Sequence, residues 1–592
     1  MSDSALRRSK EFLKVSSQFK LGGLVTESSH PVTANLSEVA RQDIAAALNL
    51  LFDVDADVVK TFQGFVSSGK AADMAATVLR SLQNGGRIFL TGCGSTGRLS
   101  ILLDSVWRDF WRQRGQAGWE NRTFSVMAGG DYALIKSVEG FEDFTAFGKK
   151  QMADLGVSGK DVVFAITEGG ETSFVIGTAW QGVEVGAKVY FVYNNPDEIL
   201  CEQVQRSREV IQDERIEKVN LTTGPMAITG STRMQATSIQ LCVMLTVLEM
   251  VARELLKLEA ADIPQQFLAA LEQMHAGLKS PELLGQLARI VALEESVYRS
   301  GHKNNYFADR LGIDVLTDTT ERSPTYCTPP FRKFDDATAT ESWAFLFLPE
   351  TNTDDAWRQI IRREPRCVEW SEAEVRQLVS EDKLPRTLET VGKIKARELM
   401  RFRIGLDGLP QRAMKPGDCA IGILTDAELD LPGVPAGFFQ QQLEASQNSG
   451  ARTGLICFGK GDLRPLPFAN DHVVVPVPKT DFLLDGITRV AVKLVMNALS
   501  TCTMVRLGRV LGNYMIWVVP SNLKLIDRAT RYITKLTGLN YEAANALLFE
   551  IIEHVEPRMK SDQAYPPVVG MAVLRAKENL TNAEAEARLL KS

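Results

Sequence analysis

Histidine and paired cysteine, the residues that most often bind metals, are scarce in this sequence of 592 residues. It has only five histidines, and none pairs with another at the i, i+4 spacing of a helical metal site. Its eight cysteines are scattered and form no C-x-x-C pair, so neither a disulfide framework nor a zinc cluster is predicted. We therefore expect no metal, and no motif in the chain requires a cofactor.

An excess of positive charge and a long apolar run are also missing. The 67 Lys and Arg residues face 73 Asp and Glu residues, for a net charge of -6, so no basic field would attract nucleic acid. No apolar run approaches the roughly 18 residues that span a bilayer. The segment Met1–Lys20 lacks the apolar core of a secretion signal. We expect a cytoplasmic protein with no nucleic-acid or membrane partner.

Short apolar strands alternate with helical segments in the first half of the chain. Apolar residues at helical spacing predict helices from Leu36 to Leu82. The strands predicted after them are Arg87–Leu90, Thr123–Met127, Asp161–Ile166, Lys188–Tyr193 and Lys218–Leu221. The helical segments among and after these strands are Leu99–Trp111, Phe144–Leu155, Thr172–Val185 and the apolar Thr232–Leu256. This alternation predicts a parallel sheet covered by helices.

The second half repeats this order, which indicates an internal duplication. Its predicted elements are the strands Asp418–Leu424, Thr453–Phe458 and His472–Val477 and the helices Phe438–Asn448 and Asp485–Arg506. After Ser521 the chain becomes helical and more charged. We predict an α/β protein with two tandem parallel-sheet domains, divided into a helical lead-in, 1–84, a first domain, 85–260, a second domain, 261–515, and a small helical C-terminal domain, 516–592.

A glycine-rich loop, Gly92–Arg98, separates the first predicted strand from the next helix. Backbone N–H groups of such a turn and of a helix N-terminus converge on one point, which suits a phosphate group. Gly94 permits close backbone approach, and Ser95 and Thr96 add hydroxyl donors. The loop lacks the lysine of an NTP-binding loop, and no acidic ribose partner follows it. The alternative is a tight turn that only caps the helix.

Two further loops carry polar residues next to a predicted strand or helix. In Thr229–Met234, hydroxyl residues precede the long apolar helix, an arrangement that an ordinary helix cap would also explain. In Thr167–Ser173, the loop follows a strand and carries Glu168 and Glu171. Because loops at the carboxyl ends of parallel strands share one crevice, we expect the three loops to form a single site.

Several motifs resemble the N-acetylmuramic acid 6-phosphate etherases and the related glucokinase regulatory proteins, which are built from sugar isomerase (SIS) domains. They are Val25–Pro31, Leu90–Leu103, Ala128–Asp131 with Val138–Asp143, Gly230–Met234, Lys493–Thr501, Arg506–Asn513 and Ser521–Lys524. The resemblance implies flavodoxin-like SIS domains, two in one chain as in the regulatory proteins. Asp309–Ile313 stands where the second domain would carry its glycine loop, so that domain is expected to keep the fold without a full phosphate site.

The resemblance also implies a set of ligand-binding residues. It assigns sugar-phosphate binding to Gly94, Ser95, Thr96, Glu142, Thr167, Gly169, Ser231, Thr232, Glu321 and Lys524. Etherase chemistry needs two carboxylates with separated pKa values. Glu142 matches one of them, whereas Val106 stands eight residues after the loop arginine, where the other is expected. Glu168 and Glu171 also depart from the small, hydroxyl or basic residues of the relatives, and carboxylates repel a phosphate.

These residues leave three hypotheses for the function. The first, which the two tandem domains, the single intact loop and Val106 favour, is a non-catalytic phosphosugar sensor or regulator, with a protein partner such as a sugar kinase. The second is a phosphosugar lyase or isomerase, such as an etherase, with Glu142 as the base and an acid that the sequence does not identify. The third is a structural scaffold, which predicts no phosphosugar binding. Glu168 and Glu171 could turn outward, meet hydroxyl or amino groups of the ligand, or indicate a different ligand.

Overall fold

Helices fill the chain before the first strand, as the apolar spacing predicts. The computed structural model describes residues 3–16, 21–138, 140–429, 437–459, 467–520, 523–560 and 565–589. The N-terminal helices are α1 (Asp3–Val15), α2 (Leu36–Gln42), α3 (Ile44–Ser67) and α4 (Lys70–Gln83). On α3 the buried side chains include Leu51, Val58, Phe62 and Phe65, so one face of this helix belongs to the protein core.

The first parallel sheet has the strand order 2-1-3-4-5, which is the flavodoxin-like order. Its strands are β1 (Ile88–Gly92), β2 (Thr123–Met127), β3 (Val162–Ile166), β4 (Lys188–Tyr193) and β5 (Ile216–Asn220). The helices of this unit are α5 (Gly94–Gln113), α6 (Ala117–Glu120), α7 (Thr145–Asp154), α8 (Ser173–Glu184), α9 (Asp197–Gln203), α10 (Gln205–Gln212) and α11 (Gln235–Leu255). Both β1 and β3 are buried along their whole length, because helices cover the two faces of the sheet.

The second sheet repeats that order, so the predicted duplication is confirmed in the topology. Helices α12 (Ile263–Leu278) and α13 (Pro281–Arg299) lead into it. Its strands are β6 (Asn304–Ala308), β7 (Ala344–Phe347), β8 (Cys419–Thr425), β9 (Arg452–Gly459) and β10 (Asp471–Pro476). They are all parallel, in the order β7-β6-β8-β9-β10. The sequence analysis did not assign β6 and β7, since β6 opens with two asparagines, which are rare in strands, and β7 is very short.

The helices of the second unit include one that reaches the first unit. They are α14 (Gly312–Tyr326), α15 (Thr353–Ile361), α16 (Glu372–Arg376), α17 (Leu384–Lys393), α18 (Ala396–Leu399), α19 (Gly437–Asn448) and α20 (Gly486–Arg506). Helix α14 packs on both α5 and α20, and α20 packs on α11 and α3. Side chains of the second unit can therefore contact the loop at the start of α5.

The two ends of the described chain pack together. After the short strands β11 (Val510–Leu511) and β12 (Tyr514–Met515), the C-terminal helices are α21 (Leu523–Thr537), α22 (Tyr541–Lys560), α23 (Val568–Glu578) and α24 (Asn582–Leu589). Helix α1 lies on α22, where Ser9 Oγ donates to Asn545 Oδ1 at 2.6 Å and the rings of Phe12 and Phe549 lie 6.1 Å apart. The first helix of the predicted lead-in thus contacts the predicted C-terminal domain.

Helix α11 corrects the expectation that no segment is apolar and long enough to span a membrane. By length and composition Gln235–Leu255 would suffice, with a mean hydropathy of 1.4 over its most apolar window, and that window is entirely buried inside the protein. The helix packs against α3, α4, α12 and α20. Its apolar composition is that of a central core helix, which is hydrophobic on all sides.

Candidate functional site

The glycine loop forms the first wall of the site. Helix α5 begins at Gly94, five residues earlier than predicted, and Gly94 has a φ of +99° that favours glycine. A Cβ on Gly92 would lie 2.3 Å from the carbonyl carbon of Thr96, so this position has no room for a side chain. The Thr96 hydroxyl accepts from Cys93 N at 3.0 Å and donates to Cys93 O at 3.1 Å. The proton of the Thr96 hydroxyl is therefore used within the loop itself. Ser95, next to it, is half-buried.

Glu321 of the second unit reaches this loop, as the resemblance implied. It lies on α14 and forms a buried ion pair with Arg98 Nη1. The same Nη1 donates to Gly94 O at 3.0 Å, and Arg98 Nε donates to Leu134 O at 3.2 Å. Arg98 Nη2 is buried and has no hydrogen-bond partner among the described residues. Both units therefore contribute to the position of the glycine loop.

The loop Thr167–Ser173 follows β3 and forms the second wall. Gln240 Nε2 donates to Thr167 O at 3.1 Å, and Asn195 Nδ2 donates to Gly169 O at 2.9 Å. The Thr167 hydroxyl bonds to the hydroxyl of Thr172 at 3.3 Å. Side chains from elsewhere in the first unit thus fix the backbone of Thr167 and Gly169.

The carboxylates of this loop do not turn outward. Glu168 is 8% exposed and Glu171 is 4% exposed. Glu168 Oε1 accepts from Thr237 Oγ1 at 3.5 Å. Glu171 forms an ion pair with Lys524 of α21, and its Oε2 lies 3.9 Å from Arg206 Nη2. One of the three explanations left open for these acids is therefore excluded.

The two buried carboxylates differ in acidity. Burial, reinforced by the carboxylates of Glu321 and Glu171, raises the pKa of Glu168 to about 7. For Glu171 the opposing charges of Lys524 and Arg206 outweigh burial and hold the pKa below its ordinary value. At neutral pH, Glu168 can carry a proton while Glu171 remains ionised.

The turn Gly230–Met234 forms the third wall. Helix α11 begins at Gln235 and not at Thr232, because Thr232 O accepts from both the backbone N, at 3.2 Å, and the hydroxyl, at 2.9 Å, of Thr237. The backbone hydrogen bond joins residues that are five apart, so this turn is wider than a turn of α-helix. Ser231 is 5% exposed, and its hydroxyl is buried and has no hydrogen-bond partner among the described residues. An unpaired buried hydroxyl is costly unless a ligand or water completes it.

Glu142 and Lys524 come from distant parts of the chain and reach the same place. Glu142 O accepts from Phe174 N at 3.0 Å, and its carboxylate lies 4.0 Å from Cys93 Sγ in the glycine loop. Burial raises the pKa of the Cys93 thiol, and the carboxylates of Glu142 and Glu168 raise it further, while Lys524 lowers it. The glycine loop, the carboxylates and Lys524 therefore lie close together at one edge of the first sheet, and a shared ligand site there stays a prediction. Glu139, Ser521 and Asn522 of the resembling motifs lie outside the described residues.

Glu27 was not assigned a role by the sequence, although it lies within the Val25–Pro31 motif. It is buried and bonded to Arg528 and Arg531 of α21, with Arg528 Nε donating to Glu27 Oε2 at 3.0 Å. Although burial opposes it, these guanidinium groups lower the pKa of Glu27 to about 2. A Cβ on Gly230 would lie 2.9 Å from Arg528 Nε and 3.1 Å from Glu27 Oε2. Glu27 thus fixes the helix that carries Lys524 against the third wall of the site.

The equivalent position in the second unit is filled by its own side chain. Arg310 N, in the segment that replaces the glycine loop, donates to Glu428 Oε1 at 3.2 Å. Glu428 follows β8, as Glu168 follows β3, and its other oxygen accepts from Thr425 N at 2.7 Å. A carboxylate therefore lies where an anion would meet the loop, in agreement with the expected loss of a full second site.

The two aspartates near Val106, Asp104 and Asp109, do not replace the missing second carboxylate. Val106 is buried on α5. Asp104 is paired with Arg108 and Arg363, and these charges hold its pKa well below the usual range despite burial. Asp109 Oδ1 lies 3.1 Å from Arg362 Nε. Both aspartates are bonded to arginines that lie outside the three loops of the site.

Comparison with known sequences identifies relatives of this chain. The family described as glucokinase regulatory protein N-terminal SIS domain matches residues 70–181. An N-acetylmuramic acid 6-phosphate etherase of Yersinia pestis (strain Pestoides F) is 30% identical over 222 residues, which cover 37% of this chain and 68% of the relative. The etherase of Yersinia pseudotuberculosis (serotype O:1b) matches with the same identity and coverage.

Comparison with solved structures gives matches at low sequence identity. The C-terminal domain of glucosamine-fructose-6-phosphate aminotransferase from Francisella tularensis is 11% identical with a TM-score of 0.41, covering 78% of this chain and 96% of that one. Tagatose-6-phosphate ketose/aldose isomerase from Escherichia coli is 9% identical with a TM-score of 0.38, covering 80% of this chain and 95% of that one.

Proposed function

This chain belongs to the family of the N-acetylmuramic acid 6-phosphate etherases and glucokinase regulatory proteins, and from that premise we propose that it binds a phosphosugar and acts on it as a lyase or isomerase. The proposed site is the crevice between the glycine loop, the Thr167–Ser173 loop and the Gly230–Met234 turn. The etherase names of its relatives support a lyase over the sensor that the sequence alone favoured.

Phosphate binding is supported by the hydrogen-bond donors and the positive charge that lie around the proposed crevice. The N-terminus of α5 directs backbone N–H groups into the crevice, and the Ser95 hydroxyl lies at its rim. The buried Ser231 hydroxyl has no partner among the described residues. Lys524 supplies a positive charge, and a phosphate would compete with Glu171 for it. With Glu168 and Glu171 both buried nearby, we infer that the sugar presents hydroxyl or amino groups to this loop.

The observation that carries the proposed chemistry is a pair of carboxylates in contrasting surroundings. Glu142 lies 4.0 Å from the thiol of the glycine loop, and Glu168 has a pKa raised to about 7 by burial. Acid–base catalysis requires one group that accepts a proton and one that donates it near neutral pH. We assign Glu142 as the base and Glu168 as the acid that the sequence did not identify.

Val106 favours a second candidate, the non-catalytic phosphosugar sensor. Valine cannot donate a proton, and the resemblance placed a catalytic carboxylate at this position. In this alternative Glu142 bonds to a sugar hydroxyl, and ligand binding changes the affinity for a protein partner such as a sugar kinase. Release of lactate from N-acetylmuramic acid 6-phosphate by the purified protein would exclude it.

We expect a phosphosugar to stabilise the protein through the hydroxyl groups of the crevice. A ligand at about 100 times its Kd adds roughly 2.7 kcal/mol to the free energy of unfolding. The measurement is the Tm with fructose 6-phosphate, fructose 1-phosphate, glucosamine 6-phosphate, N-acetylglucosamine 6-phosphate or N-acetylmuramic acid 6-phosphate. The double substitution Ser95→Ala with Ser231→Ala should abolish the increase.

The matched control for this experiment is Ser67→Ala. Ser67 is exposed at the end of α3, and its hydroxyl donates only to Gln63 O, at 2.9 Å. This variant should keep the full ligand-dependent increase in Tm. No increase with any of the five sugars in the wild type would contradict phosphosugar binding and favour the scaffold hypothesis.

A further inference from the structure

A cavity of about 290 Å³ lies between the two units, and none of its lining residues belongs to the three loops of the proposed crevice. The first unit lines it with the end of β2, the turn at Gly130 and Asp131, and α7. The second unit lines it with the segment 366–370 and with Glu374 of α16. An antiparallel bridge between Gly130 and Cys367 joins the two sides. We name this cavity the Arg366 pocket.

The acids that line the Arg366 pocket are already paired within the protein. Asp131 accepts from both terminal nitrogens of Arg363, one of them at 3.0 Å, and from Arg366 N at 2.6 Å. Asp154 accepts from Trp370 Nε1 at 2.8 Å and is also bonded to Lys150. Asp131 is thus neutralised by Arg363, whereas Asp154 shares Lys150 with Glu374.

The remaining acids of the lining are paired as well. Glu374 accepts from Ser371 N at 2.8 Å and from Lys150 Nζ at 2.9 Å. Glu369 accepts from Ala396 N at 2.9 Å and lies 3.8 Å from Lys395 Nζ.

The guanidinium of Arg366 makes no hydrogen bond to a described residue, and its ion pair with Asp104 is long. Its Nη1 is buried, makes no hydrogen bond to a described residue, and lies 3.7 Å from Asp104 Oδ2. That oxygen already accepts from Arg363 Nε at 3.0 Å and from Ser125 Oγ at 2.9 Å. The flat side of the guanidinium rests on the ring of Phe124 at 4.5 Å. Arg366 is thus held in place by packing while part of its hydrogen-bonding capacity stays unused.

Arg366 stands beside two other guanidinium groups, those of Arg108 and Arg363, which pair with Asp104 and Asp131. Because Asp154 and Glu374 share Lys150, the pocket as a whole carries no net positive charge. Burial, together with the charge of Arg363, lowers the pKa of Arg366 to about 10. A partly buried guanidinium with unused donors favours an anion that can reach it.

We propose that the Arg366 pocket binds a small organic anion, whose carboxylate or phosphate group pairs with the guanidinium of Arg366. The volume exceeds what a bare inorganic ion would fill, so the pocket has room for an organic group beside Trp370. Because both units line it, an occupant would connect them. This site is separate from the proposed phosphosugar crevice and does not depend on its function.

Calorimetric titration with sodium phosphate and sodium acetate tests the proposal and separates the two kinds of anion. The titrations use the full chain carrying Ser95→Ala and Ser231→Ala, so that the crevice does not contribute. At least one of the anions should bind at low ionic strength, and Arg366→Gln should weaken it about tenfold or more. Arg366→Lys should retain part of the affinity, and Arg376→Gln, an exposed arginine on α16, should have no effect. Equal affinity in Arg366→Gln, or no binding of either anion, would overturn the proposal.

A second measurement does not depend on folding of the Arg366 variants. Cys367 lines the same pocket, and burial raises the pKa of its thiol to about 12. Alkylation of Cys367 at pH 9, followed by peptide mass spectrometry, should slow when the binding anion is added. The half-buried Cys201 of α9 is the internal reference and should react at an unchanged rate. An unchanged rate at Cys367 would contradict occupancy of the pocket.

Discussion

Replacing Glu142 by Gln is expected to lower turnover of the phosphosugar by about 10²–10⁴-fold while leaving its binding nearly unchanged. Gln keeps the shape and hydrogen-bonding capacity of the side chain but cannot accept a proton. Lactate release from N-acetylmuramic acid 6-phosphate measures the rate, and the ligand-dependent Tm measures binding. A parallel loss of both would indicate that Glu142 only binds the sugar.

The neighbouring Asp143 provides the matched control. Its side chain is exposed, although burial of part of the carboxyl and the charge of Glu142 raise its pKa to about 6. Asp143→Asn should reduce the rate far less than Glu142→Gln. A larger loss in Asp143→Asn would show that the base has been assigned to the wrong carboxylate. If the wild type releases no lactate while binding a phosphosugar tightly, the sensor replaces the lyase as the better hypothesis.

The pH dependence of the rate tests the role of Glu168. A general acid must be protonated, and the pKa of Glu168 is raised to about 7 by burial. The rate should therefore fall as the pH rises above about 7, and Glu168→Gln should remove this part of the profile along with most of the activity. A profile of unchanged shape in Glu168→Gln would exclude Glu168 as the acid.

Replacing Glu27 by Gln is expected to lower the free energy of unfolding by about 3 kcal/mol. The substitution leaves the buried guanidinium of Arg528 without its carboxylate and weakens the hold on Arg531. Because these arginines belong to α21, which carries Lys524, phosphosugar affinity should also fall. Urea unfolding measures the stability. Glu11→Gln is the control, since Glu11 is an exposed residue whose carboxylate lies 4.0 Å from Arg7, and its effect should be small.

The stabilisation by Glu27 has a defined pH range. Its folded pKa is lowered to about 2 by the two arginines, against a value of about 4.3 in an unfolded chain. The contribution is therefore fully present above about pH 4.3 and is lost as the pH falls through about 2. The wild type should lose this increment of stability on acidification, and Glu27→Gln should lack that part of the slope. Parallel stability curves for the two proteins would contradict the assignment.

Features with a local cause could be predicted from the sequence. The strands β2 and β4 have the predicted bounds because each is an apolar run between turn residues. The glycine loop follows from Gly92, Gly94 and Gly97, whose backbone conformation and close packing are available only to glycine. The repeated topology was predicted from the order of the elements, although β6 and β7 were missed.

Features that depend on tertiary contacts could not be predicted in this way. Glu168 seemed only to oppose phosphate, because its raised pKa depends on burial and on Glu321 from the second unit. The late start of α11 depends on the side chain of Thr237, which competes for the carbonyl of Thr232. The Arg366 pocket depends on a segment of the second unit that carries no motif. Family resemblance could place Glu321 and Lys524, but composition and spacing could not.

The contact between the two ends of the chain determines how late in synthesis the proposed ligand site is completed. The glycine loop and the first sheet leave the ribosome early, and domains generally fold in that order. Lys524, α21 and the partners of Glu27 emerge much later, after the whole second unit. A nascent chain would therefore hold a first domain without its lysine for much of synthesis, so we expect an incomplete chain to bind the ligand more weakly than the finished protein.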